Sequence, residues 1–287
     1  MRETILQYGK EDDPFYISHI RQDGPSSMAY KHFHNSYELY YLISGQRYYF
    51  IKDRTFQVME KDLVLIKRGD LHKTASCGES QHERIVINFR EEFLNHGGEE
   101  RDILLRPFER DINIIRFTLP QQEQIEKLLG NICYEIRKRQ PAYKAYVRAL
   151  LVQFLIYISR HVCKNGKGRP FIHPTLMHRK VSNIVKYINS NYRNDLTLTG
   201  TAQKFNMSSS YLSRIFKQGT GFTFIEYLNS VRIREAQSLL LSTDNKVMDI
   251  CHQVGYTSIS HFGRVFKELT GYSPLQFRQR SQSQSLS

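Results

Sequence analysis

The sequence predicts an α+β chain of two domains: an N-terminal antiparallel β barrel or sandwich with two following helices, then an all-α C-terminal domain. Three observations carry this. From about Phe15 to Phe117, β-branched and aromatic runs (Tyr48–Ile51, Leu63–Ile66, Ile85–Phe89) alternate with turn signals at Ser44-Gly45, Arg68-Gly69-Asp70 and Cys77-Gly78. From Leu119 to Val162 the apolar residues recur at helical spacing instead. Beyond that, Tyr211-Leu212-Ser213-Arg214-Ile215-Phe216-Lys217 with Thr220-Gly221 returns 50 positions later as His261-Phe262-Gly263-Arg264-Val265-Phe266-Lys267 with Thr270-Gly271, one supersecondary unit written twice. A chain of 287 residues is long enough to bury two cores.

The β region shows no long helical period before Pro120. Thr118 then suits an N-cap with Pro120 in the first turn, and Ile125, Leu128, Leu129 and Ile132 fall on one stripe. Pro141 breaks this helix and starts another, in which Val147, Leu150, Leu151, Phe154, Leu155 and Ile158 form a wide apolar face. Two such helices can cover the β domain, and their remaining apolar surface can pair with a second copy as a homodimer. Lys164-Asn165-Gly166-Lys167-Gly168-Arg169-Pro170 reads as a linker. The expected division is 1–163 for the first domain, 164–176 for the linker, 177–280 for the second domain and 281–287 for a disordered Ser/Gln tail.

Charge supports a polyanionic partner. The net charge is +13, and residues 176–287 hold 14 Lys and Arg against 6 Asp and Glu, a balance of +8, where residues 1–175 hold 27 against 22, or +5. Cys77, Cys133, Cys163 and Cys251 lie far apart without a CxxC pair, so zinc ribbons and disulfide frameworks are disfavoured and reduced thiols are expected. No secretion signal and no run of membrane-spanning length is present, and the expectation is a cytoplasmic protein with no membrane partner.

Each repeat reads as two short helices around a tight turn. In the first, Leu198, Ala202 and Phe205 form a support stripe, Asn206-Met207 the turn, and Ser208 the cap of a second helix with Leu212, Ile215 and Phe216 inward. In the second, Val247, Ile250 and Cys251 play the support part, Gly255 the turn and Ser258 the cap, with Phe262, Val265, Phe266 and Leu269 inward. The outer faces then carry Ser209, Ser210, Ser213, Arg214 and Lys217, and Ile259, Ser260, His261, Gly263, Arg264 and Lys267. These are the candidate contacts to double-stranded DNA, since Arg can pair bidentately with guanine, hydroxyls and His can bond bases or phosphates, and Lys suits phosphate. Gly263 is the odd member, because glycine inside a helix costs about 1 kcal/mol relative to alanine. Between the copies, Thr223 to Leu241 reads as a helix with Ile225, Leu228, Val231 and Leu239 inward; at 1.5 Å per residue it spans roughly 28 Å, close to the roughly 34 Å of one duplex turn.

Residues 178–280 resemble the DNA-binding domain of the arabinose-regulator (AraC/XylS) family of bacterial transcription factors, through Gly255-Tyr256, Phe262, Arg264, Phe266-Lys267, Gly271, Ser273-Pro274 and Phe277-Arg278. The resemblance implies two helix-turn-helix units joined by one helix, with Ser210, Ser213, Arg214, Ser260, Gly263 and Arg264 at base-reading positions. It also implies RNA polymerase as a partner and activation rather than repression.

In the first domain, His32-x-His34-x3-Glu38-x6-Gly45 is followed by Gly69-x2-His72. Three imidazoles and a carboxylate converging inside a barrel can hold a divalent metal, or can hydrogen-bond a polyhydroxylated ligand. Tyr40 shares the side of Glu38, and Tyr30, Tyr48 and Phe50 are expected to add aromatic walls. Lys67, Arg68 and Lys73 ring the same loop and would suit an acidic effector such as a sugar acid. The spacing resembles the cupin family, whose metal ligands sit at the positions of His32, His34, Glu38 and His72, although Lys61, Lys67 and Ser76 depart from its second motif. Cupin-like sensors attached to this kind of DNA-binding domain usually take a small molecule, often a sugar, without a metal. The expected effector-binding residues are therefore His32, His34, Glu38, Tyr40, Tyr48 and His72, with no cofactor. A ligand-responsive transcription regulator rather than an enzyme is expected, and a metal-dependent cupin enzyme fused to a DNA-binding domain is the alternative.

Overall fold

A computed structural model describes residues 1–10, 13–24, 34–77, 81–110, 113–164 and 174–284. The chain runs β1 (Arg2–Tyr8), β2 (Phe15–Gln22), β3 (Tyr37–Ser44), β4 (Arg47–Ile51), β5 (Arg54–Val58), β6 (Leu63–Ile66), β7 (His72–Ser76), β8 (His82–Phe89), α1 (Glu91–Leu94), α2 (Gly98–Glu109) and β9 (Ile114–Ile115). The long helices α3 (Leu119–Lys138) and α4 (Tyr143–Lys164) follow. The C-terminal domain comprises α5 (Leu176–Asn191), α6 (Leu198–Lys204), α7 (Ser209–Thr220), α8 (Phe224–Ser242), α9 (Val247–Gln253), α10 (Ile259–Thr270) and α11 (Pro274–Gln284).

The strands form two antiparallel sheets, ordered β1-β2-β8-β3-β6-β9 and β5-β4-β7. Among the described residues no strand pairing closes these sheets into one ring, so the observed form is a pair of facing sheets. Tyr40, Leu42, Val64, Ile66 and Val86 from the large sheet pack against Tyr49, Ile51 and Val58 from the small one. Alternation sends the intervening residues Leu39, Tyr41, Leu63, Leu65, Ile85 and Ile87 to the other face of the large sheet, where Ile125, Leu129, Ile132, Leu151, Phe154 and Ile158 of α3 and α4 cover them. Thr118 and Pro120 start α3 as the sequence indicates, with Gln121 Oε1 accepting from Thr118 N–H at 3.0 Å.

The fold departs from the sequence reading in four places. Helix α2 lies before Pro120; its first half is charged and Pro107 interrupts its second half, so only Leu104, Leu105 and Phe108 mark its buried side. Ile225, expected inward, is 55% exposed. The inward residues of α8 include Phe224, Tyr227, Leu228, Val231, Ile233, Ala236 and Leu240, because the helix lies between two repeats and is buried on more than one side. Finally, α11 continues past residue 280 to Gln284, leaving only 285–287 of the expected tail outside the described residues. The 164–176 linker falls mostly outside them as well; Lys164 ends α4 and Thr175 caps α5.

The outer face of the small sheet is covered by the C-terminal domain. Phe50 and Leu71 join the apolar cluster of α5, α7 and α8. Thr55 Oγ1 donates to the Gly219 carbonyl at 2.7 Å, Tyr227 Oη donates to the Lys52 carbonyl at 3.2 Å, and Lys186 pairs with Asp53 at 3.6 Å.

Candidate nucleic-acid interface and effector pocket

Each repeat builds its second helix with the same local devices. Asn206 (φ 53°) and Gly255 (φ 92°) take the left-handed conformation the turns require, and a Cβ on Gly255 would meet the Tyr192 and Arg193 carbonyl oxygens at 2.8 Å. Ser208 Oγ accepts from Tyr211 N–H and Ser258 Oγ from His261 N–H, both at 3.3 Å. Gly221 and Gly271 end α7 and α10 with φ near +81°. Leu212, Ile215 and Phe216 are buried in one copy, and Phe262, Val265 and Phe266 in the other.

What remains outside matches the expected faces. Ser210, Arg214, Lys217, Ile259, Ser260, His261, Arg264 and Lys267 are exposed, while Ser209, Ser213 and Gly263 are partly so. Arg214 lies over the Tyr211 ring at 5.5 Å. Arg264 instead faces Glu268 at 3.8 Å, one turn along α10, where the first copy has the neutral Gln218. A Cβ added to Gly263 would meet nothing within 4 Å, so this glycine answers to no packing demand in the chain.

The space between the sheets is polar at one end. Tyr49 Oη donates to Glu38 Oε1 at 2.6 Å, His34 Nε2 donates to Glu38 Oε2 at 3.2 Å, and His72 Nε2 lies 3.8 Å from that same oxygen. His72 is oriented by the Asp70 carbonyl, 2.7 Å from its Nδ1. Burial alone would push the Glu38 carboxyl up; the His34 hydrogen bond and the His72 charge outweigh it and hold the group at about 2. Burial lowers His72, so the hydrogen bonds from His34 and Tyr49, which need no protonated His72, are the firmer cause of the low Glu38 value. The donor atoms of His34, Glu38 and His72 all lie within 4.8 Å of one another, a spacing compatible with a shared cation or a hydroxylated ligand. His32 and Tyr30 lie outside the described residues.

Two sequence expectations are corrected here. Tyr48 and Phe50 do not line this space: Tyr48 packs on His178 of α5 at 4.7 Å between ring centres, and Phe50 on Phe222 and Tyr227 of the C-terminal domain. Tyr49, on the opposite parity, is the inward tyrosine, 5.1 Å from Tyr40. Strand β4 is covered on both faces, so its composition could not say which face was inner; pairing with β7, Tyr49 opposite Thr74 and Ile51 opposite His72, decides it. Nor do Lys67, Arg68 and Lys73 ring a pocket. Lys67 pairs with Glu109, Arg68 with Glu91, and Lys73 reaches across the Phe222 ring at 4.8 Å.

Sequence reasoning also missed Asn88, the polar member of the apolar β8 run, which sits opposite Glu38 on the same face. Its Oδ1, the Tyr40 hydroxyl and His72 Nε2 are buried and have no hydrogen-bond partner among the described residues. Such groups are rare in folded proteins unless something else satisfies them.

A β-sheet domain followed by two helix-turn-helix units is the layout of a ligand-binding domain joined to a DNA-binding one. Family models agree with both halves: an AraC-like ligand binding domain matches residues 14–155 and a helix-turn-helix domain matches residues 201–280. The chain belongs to the AraC family of transcriptional regulators. The HTH-type transcriptional activator RhaR of Mannheimia succiniciproducens is 22% identical, over 93% of this chain and 98% of its own. The uncharacterized HTH-type transcriptional regulator YfiF of Bacillus subtilis is 26% identical, over 97% of this chain and 88% of its own. Among solved structures, the C-terminal domain of AraT, a response regulator from Geobacillus stearothermophilus, is 36% identical, covering 37% of this chain and 88% of that one with a TM-score of 0.36. No described helix is long and apolar enough to cross a membrane.

Proposed function

We propose that the chain is an activator whose DNA binding is set by a neutral, hydroxylated small molecule, carbohydrate-like in chemistry, held between the two sheets. The three orphaned polar atoms of Tyr40, His72 and Asn88 beside Glu38 carry this reading: they ask for a partner with several hydroxyls in a buried, otherwise apolar space. His34, Glu38, Tyr40, Tyr49, His72 and Asn88 would hold it, and His32 remains an expected member. Residues 1–163 act as sensor and 177–280 as DNA reader. The reader uses Ser209, Ser210, Ser213, Arg214 and Lys217 of α7 with Ile259, Ser260, His261, Gly263, Arg264 and Lys267 of α10. The covering helices α3 and α4 supply the homodimer contact, and RNA polymerase is the downstream partner.

Strand alternation supports a direct route between the two activities. His72 faces the ligand space while its neighbour Lys73 lies on Phe222; Tyr49 binds Glu38 while Phe50 packs on Tyr227. Ligand and DNA affinity would then be reciprocally coupled. A thermal-shift screen of sugars and polyols on the full chain, followed by DNA titration with and without each hit, tests this. Hits should lose at least tenfold affinity in Glu38→Gln, and binding indifferent to that change would overturn the site.

The His34–Glu38–His72 cluster favours one other reading, a divalent metal centre and with it metal-dependent chemistry. Elemental analysis separates the two. Stoichiometric metal that disappears in His34→Ala supports the metal centre; metal-free protein that still takes up a polyol supports the effector site.

A further inference from the structure

We infer that the sensor has a second small-molecule site, on the helix-covered side of the large sheet, for a compact carboxylic acid with an apolar body. A half-open cleft of about 570 Å³ lies between the β1–β2 turn, α1 and the corner where α3 meets α4, a size ordinary for a ligand site. Its apolar surface comes from Phe15, Phe93, Ile136 and Val147, with Phe15 and Phe93 stacked at 4.6 Å. The cleft is separate from the ligand space between the sheets: Ile136 and Val147 belong to the core on the opposite face of the large sheet.

The cleft holds two acids and two cations, and they are partnered differently. Its two acids already have partners, Asp13 accepting from Lys10 N–H at 2.8 Å and Glu92 pairing with Arg90 at 3.6 Å. Its two cations have none: Lys144 and Arg148, one turn apart on the same face of α4, make no ion pair among the described residues. Arg148 lies over the Phe93 ring at 5.6 Å, and its Nε is buried without a hydrogen-bond partner. A buried, unpaired guanidinium N–H is costly, and a carboxylate is the group that satisfies it most strongly. Lys144 then adds a second cation at the rim, and the Tyr8 and Tyr143 hydroxyls, 3.4 Å apart, offer a further polar contact beside the apolar floor.

The site spans the junction at which α3 ends and α4 begins, where Arg139 and Ala142 both take positive φ. A ligand there would tie the sheet edge to both covering helices and raise the sensor's stability.

The test uses the full chain in thermal-shift and calorimetric titrations with phenylacetate, cyclohexanecarboxylate and octanoate, against phenylacetamide and matched sodium chloride. At least one acid should raise Tm and bind, its neutral counterpart should not, and Lys144→Met and Arg148→Met should each weaken binding about tenfold while Glu38→Gln leaves it unchanged. Lys144 is exposed, so its substitution keeps the test valid if Arg148→Met perturbs folding. Failure of all three acids, equal binding of the amide, or loss through Glu38→Gln with retention in Lys144→Met would each overturn the assignment.

Discussion

The two helix-turn-helix units share their caps, turns and inward residues, yet they sit in different surroundings. A Cβ on Gly221 would meet the Lys73 side chain at 3.0 Å, while one on the equivalent Gly271 would meet nothing within 4 Å. The first unit shares its core with Phe50 and Leu71 of the sensor; the core of the second is drawn from α8 to α11, with Tyr192 at its edge. Duplication thus preserved local structure while placement made one copy the sensor's contact. A repeat seen in sequence fixes each copy's fold but not its surroundings.

The largest test of this contrast is a pair of core truncations. Phe216→Ala and Phe266→Ala each empty a fully buried site and should cost about 3–5 kcal/mol. Hydrogen exchange should show Phe216→Ala loosening β4 and β7 as well as α7, and Phe266→Ala loosening α9 to α11 alone; identical footprints would break the comparison.

Acid should expose the same asymmetry. Glu38 is held below its ordinary value of 4.5, so its contribution is present above that pH and is lost as pH falls toward about 2. On the order of 3 kcal/mol is at stake, and Glu38→Gln should remove this part of the acid dependence. Exchange protection in α7 should fall at a higher pH than in α10, since Glu38 reaches His72 and the neighbouring Lys73 of β7 lies against Gly221, the cap that ends α7.

Base readout should differ in the same direction. In selection from a random duplex library, Arg214→Ala should lose about 1–3 kcal/mol of discrimination at one position, and Arg264→Ala less, because Glu268 competes for its guanidinium. Lys217→Ala should weaken all sequences alike. Smaller still is Gly263→Ser: the open space at its Cβ predicts a helix more stable by about 0.5 kcal/mol and a modest gain in discrimination, whereas lost binding would mean the backbone itself meets DNA.

Local chemistry made much of this legible in advance. Ser208, Ser258, Asn206, Gly255, Thr118 and Pro120 each announce a cap or turn through interactions within a few residues. The family relationship was readable for the same reason, since its marks are runs of adjacent residues. What could not be read depends on distant cover. Tyr49 against Tyr48 is decided by pairing with β7 and by a second domain on the far face, and Ile225 by which sides of α8 the two repeats occupy. Asn88 gave a signal, a lone amide in an apolar strand, that needed the β3–β8 register to gain meaning.

Arg232, in the middle of α8, joins the two repeats. Its guanidinium donates to the Tyr192 and Asn194 carbonyls at 2.8 and 2.9 Å, at the end of α5, and lies 5.3 Å from the Tyr256 ring of the second unit. With α8 contributing to the cores of both repeats, this arrangement behaves as a caliper rather than a tether. If both units read DNA as proposed, the preferred site should hold two short words at one fixed phase. Inserting about five base pairs between them turns the second word to the far side of the duplex, and inserting a full turn of about ten restores the side but not the reach.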